Sequence, residues 1–105
     1  MAQFDVYENT NVKTKKLYPY LLDIQHEVVS DLATRIVIPL GDHTYFNDQV
    51  MGRLSPEINF NGNKLVLLTP QLSSVPTGLL KKHIGSLASF RDEIISSLDF
   101  AITGV

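Results

Sequence analysis

The sequence predicts a small α+β protein, mainly β, in which four or five short strands curl into a partly closed barrel and a helix ends the chain. Three observations carry that prediction. Arg35-Ile36-Val37-Ile38-Pro39-Leu40 sets three β-branched residues in a row, side chains whose stiffness at χ1 suits a pleated surface. Asn61-Gly62 stands between two apolar runs and is the dipeptide best suited to the positive φ angles of a type I′ hairpin turn. After Ser89 the apolar residues recur at helical spacing instead. With 105 residues, one domain spanning 1–105 is expected, near the lower end of comfortable single-domain stability.

Taken in order, Phe4, Val6 and Tyr7 form a first β-favouring stretch that Asn9-Thr10-Asn11 breaks. Lys13, Lys15 and Lys16 follow in a polar connection read as a solvated loop. Apolar content rises again from Leu17 to Gln25, with Pro19 confining that end to an edge or bulge because it has no N–H to donate. The Arg35–Leu40 run reads as a strand buried on both faces, with Pro39 ending its regular pairing. From Asp42 to Leu54, Phe46, Val50, Met51 and Leu54 have near-helical spacing, which predicts a short helix or an irregular excursion. Ile58 and Phe60 lead into Asn61-Gly62, and Leu65-Val66-Leu67-Leu68 returns as the second arm of a hairpin. Pro70, Ser73, Ser74 and Pro76 then mark a loop from which Leu72 and Val75 pack. Ser89-x-x-Asp92 can cap a helix carrying Ile94, Leu98, Ala101 or Ile102, and Val105, with Gly104 suited to a left-handed stop. Ile95, Phe100 and Ile102 extend the apolar surface beyond one stripe. Something else must cover them, and a two-fold partner is the simplest candidate.

Composition narrows the function. A net charge of −2 gives no basic footprint for tracking a phosphate backbone, which disfavours direct nucleic-acid binding. Zero cysteines remove disulfides, thiolate chemistry and most structural zinc sites, and fit a reducing compartment. The stretch MAQFDVYEN has neither a basic leader nor an apolar run, and nothing approaches the ~18 apolar residues that span a bilayer. The expectation is a cytoplasmic protein without membrane contact.

No catalytic constellation emerges. His26, His43 and His83 are far apart and lack ligand-spaced partners. Ser73-Ser74 has no nucleophile elbow, and Gly78, Gly85 and Gly104 belong to no phosphate loop. Asp92-Glu93 would point about 100° apart on a helix, where first-turn acids answer the helix dipole. No cofactor or metal is implied, and the chain is expected to act by binding rather than by catalysis.

Gln3-Phe4-x-Val6-Tyr7, Asp23-Ile24-Gln25, Arg35–Leu40, Ser74-Val75-Pro76 and the closing Gly104-Val105, in this order and spacing, resemble the CcdB family, the toxins of bacterial CcdA–CcdB toxin–antitoxin modules. The resemblance runs from about Gln3 to Val105. It implies a homodimer of SH3-like, partly open barrels with a carboxy-terminal α-helix, a fold shared with MazF. It also implies binding to the A subunit of DNA gyrase, trapping of gyrase on cleaved DNA, and neutralisation by a CcdA-like antitoxin. The gyrase contact of the family maps onto Ile102, Thr103, Gly104 and Val105 at the helix end, with Asp99 one turn earlier and the aliphatic pair Val28 and Val29 beside it.

Two positions depart from the family motif. Thr103 stands where its best-known form has Trp, so aromatic stacking is missing there, and Asp99 replaces an Asn, leaving acceptors without a donor. Two other readings stay open beside gyrase poisoning. One is a module that keeps antitoxin binding and has lost the gyrase contact. The other is a MazF-like endoribonuclease, for which Arg35 with Asp23 or His26 is the best acid–base and cationic set this chain offers.

Overall fold

The computed structural model describes residues 2–26 and 33–104. Among them, strands β1 (Asp5–Glu8), β2 (Tyr20–Asp23), β3 (Thr34–Asp42), β4 (Glu57–Phe60), β5 (Asn63–Leu67), β6 (Ser73–Pro76) and β7 (His83–Ser86) share one sheet. A one-turn helix α1 (His43–Phe46) follows β3, and helix α2 (Arg91–Thr103) follows β7. Every pairing is antiparallel, in the order β4-β5-β3-β2-β1-β7, with β6 added beside β3.

The long strand β3 is the spine. One of its edges pairs with β2 from Val37 to Leu40, and the other meets β6 from Thr34 to Val37 and β5 from Leu40 to Asp42. Pro39 therefore lies inside the strand, contrary to the expectation that it ends pairing. Its carbonyl accepts the Leu68 N–H at 3.2 Å, and in an extended strand the N and C=O of one residue face the same edge. The missing donor thus falls in the gap where β6 gives way to β5, so it costs no ladder bond.

Alternation divides the sheet into two faces. On the inner face Val6, Leu22, Ile38, Leu40, Leu65 and Leu67 pack with Leu87 and with Ile94 of α2. Each is buried, which favours the fold by about 1.5–3 kcal/mol per side chain. On the outer face Tyr7, Val37 and Leu80 make a smaller cluster. Arg35, two residues before Val37, shares that outer face and is fully buried, whereas Ile36 is 41% exposed. Burial on both faces begins only at Val37.

The two ends of the strand order come together. A Cβ added at Gly85 of β7 would stand 2.7 Å from Cζ of Phe60 in β4, so the sheet curls until its first and last strands touch. This is the partly open barrel with a carboxy-terminal helix that the sequence predicts. The hairpin turn is also as expected, with φ of 51° at Asn61 and 79° at Gly62.

Other details differ. Seven strands form among the described residues where four or five were expected, because β6, read as loop, takes its order from pairing with β3, and β7 holds one apolar residue, Ile84. Between Asp42 and Leu54 only one α-helical turn and a 3-10 turn, Asn47–Gln49, appear. Val50 and Met51 are exposed there, so their spacing marks no core stripe. Ser89 does not cap α2. It lies in a 3-10 turn, Ala88–Phe90, that leads into the helix, and the Ser86 hydroxyl accepts the Ala88 N–H at 3.1 Å instead.

Candidate functional site

Helix α2 is fastened at its middle and left open at its end. Ile94 and Ser97 are fully buried. Ser97 Oγ donates to the Leu54 carbonyl at 3.0 Å, which commits its hydrogen, so Thr69 Oγ1, 2.7 Å away, donates to Ser97. From the same loop as Leu54, Arg53 donates from Nε to Ser96 Oγ at 2.8 Å and from Nη2 to the Ser96 carbonyl at 3.3 Å. Its guanidinium also covers the Phe100 ring, 5.2 Å from the centroid.

Beyond that fastening, Asp99, Phe100, Ile102, Thr103 and Gly104 are exposed and Ala101 is half-buried. Ile102 keeps 70% of its surface in water. Thr103 Oγ1 donates to the Asp99 carbonyl at 2.7 Å, satisfying one of the orphan acceptors of a helix end. Gly104 takes the left-handed conformation at φ 78° and gives its N–H to the Phe100 carbonyl at 3.0 Å. It is the stop the sequence predicts. At 3.6 residues per turn, Ile102, Asp99, Thr103 and Phe100 follow one another round an arc of about 160°. Of the other expected site residues, Val28, Val29 and Val105 lie outside the described residues.

The alternative set, Arg35 with Asp23, is brought together but shut away. Arg35 Nη2 lies 2.7 Å and Nε 3.0 Å from Asp23 Oδ2, and both side chains are 0% exposed. Nη2 also donates to the Gln25 carbonyl at 3.2 Å, Asp23 Oδ1 accepts the Gln25 N–H, and Gln25 Oε1 accepts the Ile36 N–H. Burial pushes the Asp23 carboxyl above its usual range, while the Arg35 hydrogen bond and the Gln25 N–H pull the other way. The network staples β2 to β3 and offers no atom to a phosphodiester. His43 pairs with Glu57 at 2.9 Å and His83 with Asp5 at 3.3 Å, and among the described residues no three His, Cys, Asp or Glu gather as metal ligands.

A family model described as "CcdB protein" matches residues 3–104, nearly the whole chain. The chain belongs to the CcdB family. It is accordingly the toxin of a toxin–antitoxin module, from a family of poisons rather than catalysts whose partners in general are an antitoxin and gyrase. Among solved structures this CcdB-family chain is similar to the Mycobacterium tuberculosis toxin MazF-mt6, with a TM-score of 0.63 at 22% identity over 78% of this chain and 83% of that one. The likeness concerns the fold, and a shared barrel does not carry a shared activity. Among the described residues no helix is long and apolar enough to cross a membrane.

Two residues of this surface were not assigned from the sequence. Phe100 was visible only as apolar surplus. Arg53 gave no signal, because its partner Ser96 is 43 residues away and only the fold brings them together.

Proposed function

We propose that this CcdB-family toxin binds the A subunit of DNA gyrase through the end of α2 and traps gyrase on cleaved DNA. Replication and transcription are blocked as a result, and a CcdA-like antitoxin in the bacterial cytoplasm reverses the effect. One observation carries the reading: the terminal turn holds Ile102 70% exposed beside a left-handed Gly104. Covering Ile102 in a complex would contribute about 1.5–3 kcal/mol, and glycine at 104 lets a partner's backbone approach closely. Asp99 offers acceptors beside it, and Val28, Val29 and Val105 extend the apolar contact.

Two copies fit this scheme better than one, since a two-fold dimer presents two helix ends to a two-fold target. An outer-face groove in which Leu21, Pro39, Val75 and Leu79 stand among polar residues such as Asn9, Asn11 and Gln71 is the surface that a second copy would cover. The endoribonuclease reading draws on the likeness to MazF-mt6, but the complete burial of Arg35 and Asp23 opposes it.

The test incubates supercoiled plasmid, gyrase and ATP with the protein, then adds detergent and protease before electrophoresis. Linear DNA should accumulate with the intact chain and not with a version lacking Gly104 and Val105. A folded intact protein that yields no linear DNA would reject gyrase poisoning and favour the module that has lost it, and site-selective cleavage of purified RNA would favour the ribonuclease.

A further inference from the structure

We infer that Phe100, braced by Arg53, is the aromatic anchor of this chain's target-binding surface, standing in for the aromatic residue that position 103 lacks. The inference rests on the gyrase reading above and names a contact outside the family motif. Interfaces usually concentrate their energy in a few aromatic and arginine side chains near the centre of the contact, and Thr103 supplies neither a ring nor a free hydroxyl hydrogen, since its O–H is spent on the Asp99 carbonyl. Phe100 is the aromatic residue one turn before Thr103, and its carbonyl receives the N–H of Gly104. Ring and glycine stop thus belong to the same closing turn.

The ring is 39% exposed, enough for a partner to cover. Arg53 packs on it with a guanidinium centre 5.2 Å from the centroid, and that guanidinium is itself held by both the hydroxyl and the carbonyl of Ser96. A guanidinium held at two points braces the ring from one side, which lowers the ordering cost of binding. Ile102 and Phe100 then stand at the two flanks of the exposed arc, with Asp99 and Thr103 between them. An apolar residue at each flank and polar groups in the middle make a surface wider than a single aliphatic tip.

The chain contains no tryptophan, so Phe100→Trp introduces a single indole whose emission is read as the difference from the unmodified protein in the same mixture. Titration with gyrase A subunit should shift that emission to the blue as the indole leaves water. In binding measurements on immobilised gyrase A subunit, Phe100→Ala should weaken the complex about 30-fold. Phe100→Leu keeps apolar bulk without the ring and should weaken it about fivefold. Arg53→Lys should cost about threefold, because a lysine cannot make the planar two-point contact with Ser96. If Phe100→Ala fails to fold, the Leu and Trp variants carry the test. A residue that only braces the helix would lower the melting temperature while leaving affinity and indole emission unchanged, and that result would overturn the inference alone. An intact, folded protein that does not bind gyrase A at all would overturn both this inference and the reading beneath it.

Discussion

Two nitrogens of Arg35 converge on a single oxygen of Asp23, Nη2 at 2.7 Å and Nε at 3.0 Å from Oδ2, in a site that water does not reach. The other carboxylate oxygen takes the Gln25 N–H at 3.0 Å. Among the described residues Arg35 Nη1 is buried without a hydrogen-bond partner. The pair is therefore well made on one side and incomplete on the other. Desolvating two charges costs several kcal/mol each, and their attraction offsets that cost only when geometry and hydrogen bonding are both complete.

Removing one partner should be far worse than removing both. Asp23→Ala leaves a buried, uncompensated guanidinium and should lower unfolding free energy by about 3–5 kcal/mol, a large part of the stability of a chain this size. The double change Asp23→Leu with Arg35→Met exchanges the pair for apolar volume and should stay within about 1 kcal/mol of the natural protein. Urea unfolding of the three proteins decides it. A double variant as unstable as Asp23→Ala would show that the pair's charge is itself required.

Tyr7 stands beside this network and should make stability fall at high pH. It is 3% exposed and edge-on to His83 at 5.6 Å. Its hydroxyl is pushed above the ordinary tyrosine value by burial first, then by the negative charges of Asp5 and Asp23, with Arg35 partly opposing. The unfolded chain ionises near 10, so in that window the folded state holds more protons. The Tyr7 contribution is then fully present below about pH 10 and is lost as pH rises through the folded value. Urea midpoints at pH 8.5 and pH 10.5 should drop less for Tyr7→Phe than for the natural protein. An equal drop in both would remove Tyr7 as the cause.

Much of this was legible in the sequence, and the parts that were not share a cause. The Asn61-Gly62 turn, the Gly104 stop and the closing helix follow from local chemistry, because the required φ angles and the apolar period are written in adjacent residues. Strands β6 and β7 were not legible. Ser73-Ser74 and His83-Ile84-Gly85-Ser86 have little intrinsic preference and become strands because β3 and β1 hold out unpaired edges beside them. For Arg35 the sequence leaves Asp23 and His26 both open as neighbours, and only the fold sets Asp23, 12 residues earlier, against it. Ile102 could be flagged from sequence as surplus apolar surface, whereas the Arg53 clamp under Phe100 depends on a contact 43 residues apart.

Barrel curling depends on a glycine. A Cβ at Gly85 would lie 2.7 Å from Phe60 Cζ and 2.9 Å from Cε1, and the Phe60 ring is buried and packed edge-on against Tyr20 at 5.6 Å. The ring has little room to yield, so Gly85→Ala should cost about 1–3 kcal/mol. Adding Phe60→Leu should relieve the clash, and the double variant should be more stable than the sum of the two single effects by about 0.5 kcal/mol or more. Gly78→Ala, where nothing lies within 4 Å of the new Cβ, is the control and should change stability by less than about 0.5 kcal/mol. Additive effects in the double variant would mean that β4 and β7 do not press on each other.

At the helix end, stability and binding should come apart. Ile102 is 70% exposed, so Ile102→Lys gives up little packing, and a cation in the last turn of α2 meets the negative end of the helix dipole. Thermal stability should therefore hold or rise slightly, while gyrase A binding weakens at least tenfold because the new charge must be desolvated on association. Deleting Gly104 and Val105 removes the N–H that caps the Phe100 carbonyl, a loss of about 1 kcal/mol, which corresponds to a few degrees in melting temperature for a chain of this length. Binding should be abolished in that truncated protein. If the truncation unfolds the barrel instead, the terminal turn is part of the core, and the exposed Ile102 must be explained by something other than a target.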